Sequence, residues 1–128
     1  MWYNRLNEQN GKKGAELSEY AIQQRLYRTI KRAQTELSTP KCMYRVIRLN
    51  DPTCPFHLER FRLAHDRGDE ILKVRIALDC VSDDDKKLCE NFIMPGRMFT
   101  KCIMCKKAGG KDFEYWFFAD GNVWNKGQ

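Results

Sequence analysis

No stretch of this sequence approaches the roughly 20 consecutive apolar residues that cross a bilayer as a helix, so no membrane partner is expected. Its first residues, Met1-Trp2-Tyr3-Asn4-Arg5, are not followed by an apolar segment of secretory-leader length. A chain kept inside the cell, in cytoplasm or nucleus, is the expectation. Histidine is scarce, with two in the chain. There is no phosphate-cradling glycine motif, no H-E-x-x-H and no G-x-S-x-G. The commonest signatures of nucleotide hydrolysis, zinc proteolysis and serine hydrolysis are therefore missing. Internal repeats and low-complexity tracts are also missing, which leaves one ordinary domain within 128 residues.

What is present is charge and aromatic content. Lys and Arg number 23 against 17 Asp and Glu, a formal +6. An excess of this sign favours an anionic partner such as nucleic acid, although it also serves solubility. Residues 1–14 are polar, end in Gly11-Lys12-Lys13-Gly14, and read as a flexible basic arm. The body, 15–128, is expected to be one α+β domain.

Periodicity places the elements of that body. Ile22, Leu26, Ile30, Ala33 and Leu37 recur at three and four, which predicts an amphipathic helix from about Ala15 to Leu37, closed by Thr39-Pro40. Lys41 to Leu49 reads as a strand. Residues 58–65 fit either a short helix or the first arm of a hairpin. Leu72, Val74, Ile76 and Leu78 alternate with Lys73, Arg75, Ala77 and Asp79, the period of a strand with one buried face. Ser82 followed by three aspartates predicts a helix start, with Leu88 and Phe92 turned inward and Pro95-Gly96 ending it. Met98–Met104 is a strand or a metal knuckle, Ala108-Gly109-Gly110-Lys111 a turn, Phe113–Ala119 an aromatic strand, and Val123-Trp124 a sheet edge. The sum is one long helix, one short helix and a mostly antiparallel sheet of four to five strands.

Six cysteines without a leader segment point away from disulfides. Cys102-Ile103-Met104-Cys105 is a C-x-x-C, whose two thiolates on a tight turn can take adjacent corners of a zinc tetrahedron. Cys54-Pro55-Phe56-His57 is a C-x-x-H able to supply the other two. The pattern resembles a two-knuckle zinc ribbon in general form, over about half of the chain. It implies a closed structural zinc site at Cys54, His57, Cys102 and Cys105. A rival tetrad joins Cys80 and Cys89 to Cys102 and Cys105, with Cys42 as a possible substitute. The plain alternative is that these thiols are small buried hydrophobes, above all Cys42 and Cys80 in their apolar contexts.

Two basic clusters complete the inventory. Arg25, Arg28, Lys31 and Arg32 share the wet side of the first helix and could track a phosphate backbone. Lys101, Lys106, Lys107 and Lys111 surround the C-x-x-C and its turn, next to an aromatic strand in which Trp116 is the candidate for base stacking. The leading expectation is a non-enzymatic, zinc-stabilised module that contacts nucleic acid or a nucleic-acid machine. A subunit that docks on a larger protein assembly, viral among the candidates, is the alternative. A metal-dependent nuclease built on His65, Asp66, Asp69 and Glu70 comes third.

Overall fold

The computed structural model describes residues 18–38, 44–62, 71–96, 98–119 and 123–127. Among them the chain forms α1 (Glu19–Leu37), β1 (Tyr44–Arg48), β2 (Leu58–Arg62), β3 (Ile71–Leu78), α2 (Asp83–Asn91), β4 (Thr100–Lys106), β5 (Glu114–Ala119) and β6 (Val123–Lys126). The fold class is α+β, as expected. Residues 1–14, expected as a basic arm, Cys42, and residues 63–70, where a hairpin turn was one alternative, lie outside the described residues.

The sheet has six strands in the order β1-β2-β3-β4-β5-β6. That is more strands than the four to five expected; the sheet is mostly antiparallel, as expected, but mixed, two antiparallel meanders meeting at one parallel pair, β3 and β4. Parallel neighbours need a crossover, and α2 with the segment after it supplies one.

That crossover covers the second face of the sheet. Side chains alternate along a strand, so β4 sends Cys102 and Met104 to one side and Ile103 and Cys105 to the other. The first pair joins a core with Ile30, Ala33 and Leu37 of α1 and with Val46, Leu58, Leu72, Val74 and Ile76. The second joins Phe56, Ala77 and Cys89 of α2, with Phe92, Phe99 and Trp116 packed around them. The rings of Phe92 and Phe99 meet Phe56 edge-on, with centroids 5.6 and 6.0 Å away.

Two expectations are corrected by this layering, and one left open is decided. β3 is buried on both faces, not one: Lys73 is 2% exposed and pairs with Glu59 at 2.7 Å under the ring of Phe99. Arg75, on the same face, gives its Nε to Asp85 and a guanidinium N–H to the Pro55 carbonyl. The inward residue of α2 is Cys89, fully buried, while Leu88 is 51% exposed. Residues 58–62 form a strand because β1 and β3 both pair with it, and the buried Glu59 breaks the alternation that would have revealed it.

The helix ends follow from local chemistry. Ser18 accepts from the Ala21 N–H at the start of α1. Ser82 and Asp85 form a reciprocal capping box at the start of α2. Three aspartates in that first turn complement the positive end of the helix dipole.

Candidate nucleic-acid interface

The N-terminal half of α1 runs beside the end of β3 and the turn joining β4 to β5, and Asp79 ties the three together. Its N–H donates to the Lys106 carbonyl at 3.0 Å, continuing the parallel ladder by one bond. Its carboxylate accepts two bonds from the Arg25 guanidinium, at 2.7 and 3.0 Å, and one from the Ala108 N–H at 2.9 Å. These donors hold the Asp79 carboxyl at about 2, below its ordinary value, the Arg25 bond being the largest cause. The turn itself is closed by the Gly110 N–H on the Lys107 carbonyl, with Gly109 at φ +75. A left-handed residue in third place is what a type II turn requires.

Between these elements lies an open groove of about 230 Å³, lined by Arg25, Arg28, Thr29, Arg32, Lys106, Lys107, Ala108 and Gly109. Three arginines from one helix and two lysines some 80 residues later thus face one space. Arg32 donates to the Lys111 carbonyl at 2.8 Å, which pins the far side of the turn to α1. Lys106 donates to the Gly110 carbonyl. Lys107 reaches Glu114 only at 4.0 Å, and Arg28 makes no ion pair among the described residues. The groove is below the roughly 300–1,000 Å³ of sites that engulf a small molecule. Its size and its donors suit a phosphate group presented from outside.

The other expected contact residues lie elsewhere. Lys31 does not line the groove; its ammonium lies 5.5 Å from the Tyr27 ring. Lys101 projects to the α2 side, donates to the Glu90 carbonyl at 2.8 Å and lies 5.4 Å from the Phe118 ring. Trp116 also packs on the α2 side, half-buried, with the Lys86 ammonium 4.8 Å above its ring. It is therefore not the outer face of a one-sided sheet, and the groove does not contain it.

The structure does not bring the four expected zinc ligands together. Residues 100–106 form a regular strand, so Cys102 and Cys105 point to opposite faces of the sheet. Among the described residues no group of three or more His, Cys, Asp or Glu gathers in a metal-binding arrangement. His57 is engaged locally instead: its Nδ1 accepts the Ile76 N–H at 2.8 Å. Burial beside Arg75 lowers its pKa to about 4, which keeps that nitrogen unprotonated. Burial pushes the thiols of Cys89 and Cys102 up to about 12 and that of Cys105 to about 11. Cys54 lines a second, wider hollow of about 720 Å³ between the 52–55 loop and α2. Cys80, expected in the core, is exposed. His65, Asp66, Asp69 and Glu70 lie outside the described residues.

Sequence reasoning named both basic clusters but missed Asp79, the residue that joins them. The available signal was an acid at the end of a strand, which is too common to single out. No known protein family, curated protein or solved structure matches this chain. None of its helices is long and apolar enough to cross a membrane, among the described residues.

Proposed function

We propose that this chain is a non-catalytic binding module that holds nucleic acid by its phosphate backbone, through the groove between α1 and the β4–β5 turn. The observation that carries the reading is the convergence of Arg25, Arg28, Arg32, Lys106 and Lys107 on one open space. Backbone phosphates accept from arginines, lysines and main-chain N–H groups without reporting base identity. The groove offers these donors and, among its lining residues, no aromatic ring on which a base could stack. Contact is thus read as backbone-directed and largely independent of sequence. The proposal does not call on zinc, since none of Cys54, His57, Cys102 and Cys105 lines the groove.

The test is the anisotropy of a labelled 20-base-pair duplex titrated with the protein over a salt series. Arg28→Ala and Lys107→Ala are each expected to weaken binding to unrelated sequences alike. Each should also lower the slope of log K against log salt by about one. Association that ignores salt would point to a protein partner instead. No binding at low salt, or binding untouched by both substitutions, would overturn the reading.

A further inference from the structure

The bonds made by Asp79 are those a phosphate would make. Two parallel N–H groups of one guanidinium and a neighbouring main-chain N–H converge on its two oxygens, the donor set by which proteins commonly grip a phosphate. The backbone is bent to place that carboxylate: Asp79, at φ 71, is the one non-glycine residue with positive φ among the described residues. Glycine would adopt this conformation without strain. The carboxylate is nonetheless open to competition, since its side chain is 55% exposed. Exposed pairs are weakly held. Beside it, Gly109 has no atom within 4 Å of where a side chain would start, which leaves the turn open to close approach.

We infer that Asp79 is an internal stand-in for phosphate, occupying Arg25 until a polyanion displaces it. The inference rests on the groove being the nucleic-acid contact. It adds a selection among ligands. A tethered carboxylate competes at a high effective concentration. A lone phosphate ion or a small phosphorylated molecule, gripping Arg25 alone, is therefore held off. A polymer that also engages Arg28, Arg32 and Lys107 displaces the carboxylate, and Arg25 then becomes an additional phosphate contact.

The test compares wild type with Asp79→Asn and Asp79→Gly, both compatible with a left-handed backbone, and with Asp83→Asn, which removes one exposed acid from the start of α2. The probe is the labelled duplex over a salt series. Both Asp79 variants are expected to bind about tenfold tighter at low salt with little change of slope, because Arg25 contacts phosphate in wild type and variants alike. Asp83→Asn should not tighten binding by a comparable amount. Inorganic phosphate should compete with duplex more strongly in the Asp79 variants than in wild type. If wild type binds but the Asp79 variants bind no tighter than Asp83→Asn, this inference alone is overturned. If no form binds the duplex, the groove reading fails and takes this inference with it.

Discussion

His57 shows how one side chain converts burial into a pH response. Its folded pKa of about 4 lies below the ordinary value of 6.5. The unfolded chain therefore binds the proton first as pH falls. Stability tied to the neutral ring is whole above about pH 6.5, declines as pH drops towards 4, and changes no further below that. The full shift corresponds to roughly 3 kcal/mol. Urea unfolding at pH 7, 5.5 and 4 should show the decline, and His57→Asn, which keeps an acceptor near the Ile76 N–H, should flatten it. A decline of equal depth in His57→Asn would place its origin elsewhere. Asp79 acts in a separate window: its pKa, depressed to about 2, means its contribution is present above about 3.8 and lost as pH falls through 2.

The thiols make a second residue-scale prediction. Cys80 is exposed, whereas Cys89, Cys102 and Cys105 are buried with raised pKa values. A thiolate-directed reagent at pH 8 should modify Cys80 rapidly and reach these three only on unfolding. Prompt modification of Cys102 in the folded protein would contradict its place in the α1 core.

At the scale of elements, local signals were legible and layering was not. Ser82 and the aspartates after it marked the start of α2 correctly, because a cap depends only on residues three apart. Ser82→Ala is accordingly expected to cost about 1 kcal/mol in denaturant unfolding. Of the two residues expected inward on α2, Phe92 does pack on the core, and Leu88 was misjudged because it is more hydrophobic than its neighbour Cys89. Which face turns inward is set by the cluster that Phe92 forms with the more distant Phe56 and Phe99, and that face belongs to Cys89. Leu88→Gln should then change stability by no more than about 0.5 kcal/mol. A loss of several kcal/mol would place Leu88 in the core after all. The C-x-x-C misled for a related reason. Its spacing fits a metal knuckle on a turn, but on a strand the same spacing turns the two thiols to opposite faces.

At the scale of the whole molecule, the parallel pairing of β3 with β4 decides both core and site. It sets the β4–β5 turn against the end of β3, where Asp79 can reach Arg25 and Ala108 together. No local pattern encodes that pairing, so the two basic clusters were visible as separate lists and their meeting was not. The meeting also divides those lists. Arg25, Arg28, Arg32, Lys106 and Lys107 share the groove, while Lys101 and Trp116 belong to the opposite layer. The most direct measurement of this account is a map of backbone amide shifts in the labelled protein as a short duplex is added at low salt. Changes should concentrate together at residues 25–32 and 106–111 and leave 83–91 and Trp116 still. Changes centred on Trp116 and α2, with α1 unmoved, would contradict it.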